Sequence, residues 1–170
     1  MALRQDLERM LEAAEAGGGE PGTSARHRCY LTAMSAVPPT EDSWMIALVL
    51  RDPDRVAAES TVLAQVDHRA SQLRSAASFA AWTATISELL DPGSFIMRRI
   101  EEWQLFKRVV EGGDVDAAAL ADSSNWLQRK VVEETTSVPA LTAIGQAGRT
   151  RRLRNLARTK AGRLRQRNAP

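Results

Sequence analysis

Side chains that commonly catalyse reactions or bind metals are scarce in this 170-residue chain, which contains one cysteine and two histidines. With Cys29 alone, no intrachain disulfide can form, and a four-cysteine zinc site is excluded. A zinc site would have to bring His27, Cys29 and His68 together, because zinc normally takes three or four nitrogen or sulfur ligands. We interpret these three as ordinary core or surface residues, and we predict neither a metal nor any other cofactor.

The sequence also lacks a recognisable catalytic motif. The glycine runs at 17–19 and 112–113 have no preceding strand and no following Lys or Ser, so they are interpreted as linkers and not as phosphate loops. Paired acids occur at Asp52/Asp54, Glu101/Glu102 and Glu133/Glu134. Adjacent positions on a helix point about 100° apart and cannot form a facing carboxylate dyad by themselves. We therefore predict that these acids are solvated helix surface and that the protein is not an enzyme.

Long hydrophobic runs are missing as well. The longest apolar stretch, residues 44–50, is far too short to span a bilayer, so no transmembrane segment is predicted. The first residues, MALRQDLERM, include acids and no long apolar run, which is not typical of a signal peptide. These features favour a cytoplasmic protein. The bias toward Ala and Arg is typical of a high-GC bacterial genome.

No stretch of four or more residues alternates between apolar and polar with period two, so strands are not expected. Apolar residues instead recur at helical spacing, beginning with Leu3, Leu7, Met10, Leu11 and Ala14. Further helices are predicted near 24–36, 41–50, 53–68, 71–90 (one helix or two), 94–110, 114–122, 126–135 and 137–147. Their N-caps are predicted at Thr40, Asp52 followed by Pro53, Asp114, Ser123 or Ser124, and Ser137. The chain is thus predicted to be all-α, with more than about 60% of its residues in helices.

A weak internal repeat lies beneath these helices. Trp44-Met45, Val49-Leu50 and Val56 align, at an offset of 82 residues, with Trp126-Leu127, Val131-Val132 and Val138, while Trp82 gives a looser middle copy. Spacings of 38 and 44 between the Trp residues are typical of helical-hairpin repeats. Residues 40–160 therefore resemble a short HEAT-type α-solenoid, and residues 52–56 are similar to the capped start of the second helix of a HEAT repeat. The resemblance implies an array of antiparallel helical hairpins; an irregular helical bundle is the alternative.

The same patterns predict how the chain is divided. We expect an N-terminal amphipathic helix at 1–16, a glycine-rich joint at 17–23, a helical-hairpin domain at 24–160 and a basic tail at 161–170. The four Trp residues are assigned to the core, although one could instead be an exposed interface anchor. Trp126 and Leu127 in particular are predicted to be buried between the last two hairpins.

Charge is strongly segregated along the chain. The last twenty-two residues carry nine basic side chains and no acid, whereas residues 1–148 have a net charge of −7. An apolar stripe runs along this basic segment and consists of Thr150, Leu153, Leu156, Ala157 and Leu164. A helix could therefore dock through the stripe and present its arginines outward. Segregated charge implies a contact of opposite sign. The predicted partner-binding residues are Arg149, Arg151, Arg152, Arg154, Arg158, Arg163 and Arg165.

Three roles for this basic helix compete. It could bind an acidic surface of a protein partner or of a second copy of the chain, it could bind nucleic-acid phosphates, or it could be a solvated terminal cap. The acidic body and the lack of an aromatic residue among the arginines favour protein over nucleic acid, and the lack of a Trp or Phe anchor disfavours membrane-surface binding. We predict a small, non-catalytic scaffold or adaptor that recognises a protein partner or self-associates, with nucleic-acid binding as the alternative.

Overall fold

All regular structure in the described part of the chain is helical. The computed structural model describes residues 2–17 and 22–167, and it is 80% helix with no strand there, so the all-α prediction is confirmed. Two 3₁₀ turns lie at Pro39–Glu41 and Ser87–Leu89. Most of the predicted joint at 17–23 and the end of the predicted tail fall outside the described residues. The helices described are α1 Ala2–Glu15, α2 Thr23–Ala36, α3 Asp42–Val49, α4 Arg55–Gln72, α5 Ala76–Ile86, α6 Phe95–Val110, α7 Ala117–Asp122, α8 Asn125–Glu134, α9 Val138–Ala147 and α10 Arg151–Arg167.

Side-chain caps define where several of these helices begin. Ser124 and Ser137 accept hydrogen bonds from the backbone N–H groups three residues ahead, as predicted. The prediction of Asp114 as a cap was wrong, because Asp116 caps α7. The starts of two further helices also differ from the prediction. Asp54 caps α4 in place of Asp52, whose carboxylate has another partner described below. Thr40 is not the cap of α3, because it lies in a 3₁₀ turn and α3 begins after it, at Asp42.

The chain divides into two compact units, Met1–Ile100 and Glu101–Pro170, where a single hairpin domain over 24–160 was predicted. The division falls within α6, and each unit has an apolar core of its own. Fully buried side chains of the first unit include Met45, Ile46, Val62, Phe79 and Ile86. Those of the second unit include Leu120, Leu127, Val131, Leu141 and Ile144.

A buried carboxylate connects several helices of the first unit. Asp42, at the start of α3, is completely buried, and its oxygens accept hydrogen bonds from Gln65 (2.8 Å), from Arg69 (2.6 and 3.1 Å) and from the indole N–H of Trp82 (2.8 Å). Arg69 also donates to the carbonyl oxygen of Val37 at 2.6 Å, beyond the end of α2. The charge is thus paired and fully hydrogen-bonded, as a buried charge must be if it is not to destabilise the fold.

A second buried ion pair lies in the same unit. Arg26 on α2 donates to both carboxylate oxygens of Asp52, at 2.8 and 3.0 Å, and the Tyr30 hydroxyl donates to Asp52 at 2.9 Å. The prediction that Asp52 is solvated was wrong, because its residue is only 2% exposed. Burial by itself raises the pKa of Asp52, but hydrogen bonds from Arg26, from the Asp54 N–H and from Tyr30 outweigh it and leave that pKa lowered. Burial and the bond to Asp52 raise the pKa of Tyr30.

Aromatic and cationic side chains pack together in the second unit. The rings of Trp103 and Trp126 meet edge to face, with centroids 5.2 Å apart. The Lys130 ammonium lies 4.6 Å from the Trp103 centroid and 4.8 Å from that of Phe106, within cation–π range. Lys107 is 5% exposed, and burial is the main cause of its lowered pKa; Glu111 opposes that shift and Lys130 adds to it.

The four Trp residues are not equally buried. Trp82 and Trp103 are each 6% exposed and belong to the cores, as predicted. Leu127 is completely buried, but Trp126 beside it is only half-buried, so the prediction for Trp126 was partly wrong. Trp44 is also half-buried; it donates a hydrogen bond to Glu41, and Arg4 stacks over its ring at 5.2 Å.

Candidate functional site

The basic segment forms α10, which packs closely on α9. The two helices are joined by residues 148–150, and small residues on α9 allow close approach. At Gly145 an added Cβ would lie 3.0 Å from Cγ of Arg158, and at Gly148 it would lie 2.6 Å from the carbonyl oxygen of Ile144. The aliphatic part of Arg158 therefore lies against α9 while the residue as a whole remains exposed.

The apolar side of α10 is buried along most of the helix. Leu153, Ala157 and Ala161 are 6%, 0% and 2% exposed, at spacings of four residues that place them on one face. Because the helix continues to Arg167 and Ala161 is buried, the docked part extends past the predicted tail boundary at 160/161. Of the predicted apolar stripe, Leu153 and Ala157 are buried and Leu164 is half-buried. The prediction was wrong at Thr150, which is exposed, and at Leu156, which is 47% exposed.

Several cations of the basic segment hold it in place. Arg149 donates to the carbonyl oxygens of Ser123 and Asp122, at 2.6 and 3.0 Å. The Lys160 ammonium donates to the carbonyl oxygens of Val132 and Glu133, both at 2.8 Å, near the end of α8.

Two more arginines bond to α9 or to the residue just after it. Arg154 donates to the carbonyl oxygen of Gly148 at 2.6 Å, and Arg165 donates to the Thr142 hydroxyl at 2.8 Å. Arg154, like Arg149 and Lys160, thus places a cation at the carboxyl end of a helix, where carbonyls lack partners inside the helix and the helix dipole favours positive charge.

The remaining arginines project from α10. Arg151, Arg152, Arg158 and Arg163 are exposed, and within residues 2–17 and 22–167 none of them forms an ion pair or a side-chain hydrogen bond. The seven predicted partner-binding arginines are thereby divided into four that have no partner in the described part of the chain and three that bond to their own unit.

An exposed leucine lies among the projecting arginines. Leu156 lines a shallow, open depression together with Arg151, Arg152, Asn155 and Thr159. We call these five residues the outer face of α10. Sequence reasoning placed Leu156 in the buried stripe, because at 100° per residue it falls near the edge of that stripe. Only the packing of α10 shows that this edge is turned to solvent.

The outer face of α10 lies in a unit with an excess of basic residues. The second unit contains thirteen Lys and Arg against eight Asp and Glu, whereas the first contains ten against thirteen. No acid lies within α10 itself to neutralise its cations. A cluster of like charge without local counter-charge attracts an anionic surface and accelerates association with it.

Within the described residues no group of three or more His, Cys, Asp or Glu side chains is placed to hold a metal ion. His27 Nδ1 lies 2.6 Å from the Thr61 hydroxyl, and Cys29 is an exposed thiol. No helix in the same part of the chain is long and apolar enough to cross a membrane.

Comparison of the chain with family models, with curated proteins and with solved structures found no match.

Proposed function

We propose that this chain is a non-catalytic recognition protein, a small helical scaffold or adaptor, and that the outer face of α10 binds an acidic surface of a protein partner. The carrying observation is Leu156, an exposed apolar side chain beside Arg151 and Arg152. An apolar side chain beside two arginines matches a protein surface that presents an apolar residue among acids. Phosphate binding would need the arginines but would gain nothing from the leucine.

Preorganisation supports the same proposal. Lys160, Arg154 and Arg165 fix α10 to its neighbours, and Leu153, Ala157 and Ala161 are buried beneath it. A partner that docks on a helix already held in place does not have to pay for ordering that helix. The arrangement also disfavours a role as a membrane-surface helix, since the apolar side that would enter the lipid is occupied by packing within the unit.

The helix order is compatible with the proposed HEAT-like architecture. α3 and α4 begin at Asp42 and Arg55, and α8 and α9 begin at Asn125 and Val138. In both pairs the second helix starts 13 residues after the first, which supports a repeated helical hairpin. A scaffold built from such hairpins offers extended surfaces for recognition.

Direct binding of two defined probes tests the function. The probes are a peptide of alternating Glu and Leu and a mixed-sequence DNA duplex, each titrated at low and moderate salt. We expect the peptide to bind, and the double variant Arg151→Gln with Arg152→Gln to weaken that binding about tenfold or more, because two desolvated charge pairs are lost. The matched control, Arg55→Gln with Arg108→Gln, removes the same charge from two exposed arginines outside α10 and should leave binding unchanged.

Leu156→Ser separates the two candidate partners. This change should weaken peptide binding several-fold through the lost apolar anchor and should leave any duplex binding as it was. Duplex binding that falls steeply with salt, disappears in the Arg151/Arg152 double variant and is unaffected by Leu156→Ser would replace our proposal with nucleic-acid recognition. If neither probe binds, the outer face is a solvated cap and the proposal fails.

A further inference from the structure

A second surface, in the first unit, is separate from the outer face of α10. α1 and α2 enclose a groove of about 530 Å³ with largely apolar walls. Leu3 and Met10 line it from α1, and Ala25, Cys29, Thr32 and Ala36 line it from α2. The α2 residues recur at i, i+4, i+7 and i+11, so they follow one face of the helix for about three turns.

α1 is only partly covered by its contact with α2. Leu7 and Leu11 are 5% and 0% exposed, whereas Leu3 is 40% exposed at one end of the groove. The small side chains on the opposite wall would allow the backbone of another helix to approach closely. The groove therefore has the length, the apolar character and the small-residue wall that an added helix requires.

The charged residues that line the groove favour a second copy of the chain as its partner. Asp6 lines it on α1 and Arg28 lines it on α2, so the two walls carry opposite charges. In a two-fold symmetric contact the same surface of each copy is used. If one residue of the first copy contacts a second residue of the other copy, the reciprocal contact forms as well. Such a contact can place Asp6 of each copy against Arg28 of the other. Asp6 also pairs with Arg9 on its own helix, but both side chains are more than half exposed, and exposed pairs contribute little.

We infer that the α1–α2 groove is a homodimer interface, in which the α1–α2 pairs of two copies pack together as four helices. The contact buries Leu3 and Met10 of both copies and forms two Asp6–Arg28 ion pairs across the symmetry axis. It lies in a different unit from the outer face of α10, so neither proposal depends on the other.

A charge-swap series measured by sedimentation equilibrium tests the inference on the full chain. The wild type should reach twice the chain mass in the concentration range up to about 200 µM. Asp6→Arg or Arg28→Asp alone should weaken dimerisation about tenfold or more, because each places two like-charge contacts in the interface. The double variant Asp6→Arg with Arg28→Asp should restore it to within about threefold of wild type.

Two control variants carry the same charge changes outside the groove. Glu12→Arg on the exposed side of α1 and Arg55→Asp on α4 should leave the dimer intact. The Arg151/Arg152 double Gln variant should also dimerise normally, which separates this interface from the outer face of α10. Leu3→Glu should abolish dimerisation while the circular dichroism spectrum keeps its helical form, because Leu3 is already partly exposed in the single chain.

Alkylation of the Cys29 thiol tests whether the groove is covered in the dimer. This thiol is exposed in the single chain and lines the groove, so its rate of alkylation should fall as protein concentration rises in the wild type but not in Leu3→Glu. A wild type that stays monomeric throughout overturns the inference and leaves the groove to another protein's helix or a small apolar molecule. A dimer that ignores Leu3→Glu and both charge reversals, or a charge swap that restores nothing, places the interface elsewhere and overturns it equally.

Discussion

The buried Asp42 carboxylate accepts four hydrogen bonds within the first unit. It binds three side chains from two other helices, and its main partner Arg69 is 3% exposed. Removing one member of a buried ion pair leaves the other charged and without compensation, which costs far more than the pair contributes. The stability of the first unit should therefore depend on Asp42 much more than on exposed acids.

Asp42→Ala should lower the free energy of unfolding by about 3–5 kcal/mol, because it leaves the Arg69 guanidinium buried without its carboxylate. Urea unfolding measures the change. Trp82→Phe removes one of the hydrogen bonds to Asp42 and part of a buried ring, and should cost less, about 1–3 kcal/mol. The control Glu59→Ala, at an exposed position of α4, should change stability by no more than about 0.5 kcal/mol. Equal effects of Asp42→Ala and Glu59→Ala would contradict this account of the buried cluster.

Asp52 should make stability depend on acidic pH. Its pKa is lowered in the folded chain, so its contribution is present above the unfolded pKa of about 3.9 and is lost as pH falls through the folded pKa. Asp52→Asn should flatten the acid limb of a plot of unfolding free energy against pH, by up to about 1.4 kcal/mol per pH unit. Asp91→Asn, at an exposed acid, should leave the slope unchanged. An acid limb identical in Asp52→Asn and wild type would show that the Arg26–Asp52 pair is not the cause.

At the scale of the element, the close packing of α9 and α10 requires glycine at two positions. A third glycine, within α10, has no such requirement. Gly148 lies against the Ile144 carbonyl, and Gly145 lies against the stem of Arg158. Gly162, within α10, has open space where a Cβ would be. The same substitution is therefore expected to have opposite effects at positions only a few turns apart.

Gly148→Ala should destabilise the protein by about 1–3 kcal/mol, because its Cβ would come within 2.6 Å of a backbone oxygen that cannot rotate away. Gly162→Ala should stabilise it by about 0.5–1 kcal/mol, since Ala favours a helix interior over Gly and nothing obstructs it. Thermal unfolding followed by circular dichroism compares the two variants. Stabilisation by Gly148→Ala would mean that the turn after α9 is looser than described.

At the scale of the whole chain, the two units differ in net charge and in the candidate binding surface that each carries. The first unit has an excess of acids and carries the apolar α1–α2 groove, while the second has an excess of bases and carries the outer face of α10. If both proposals hold, each dimer presents two copies of the outer face of α10. Two linked copies of a weak site bind a repeated partner much more tightly than one copy does.

The sequence by itself determined that the chain is helical and where most of its helices lie. Apolar spacing predicted the helices, although α4 continues to Gln72, past its predicted end at 68, and the segment 71–90, predicted as one helix or two, contains α5 and a 3₁₀ turn. The caps Ser124 and Ser137 were correct, because capping is a local interaction between residues three apart. The concentration of cations at the carboxyl end was also evident from residue order alone.

Only the tertiary structure decided which of those polar residues are buried and which project. Asp52 and Arg26 are 26 positions apart, and Arg149 and Ser123 are also 26 apart, so no local pattern relates them. The sequence was equally compatible with solvent exposure of each acid. It also gave no basis for distinguishing one arginine of α10 from the next. Their roles are determined by the contacts that folding brings together, because the cost of burying a charge depends on the partner that meets it there.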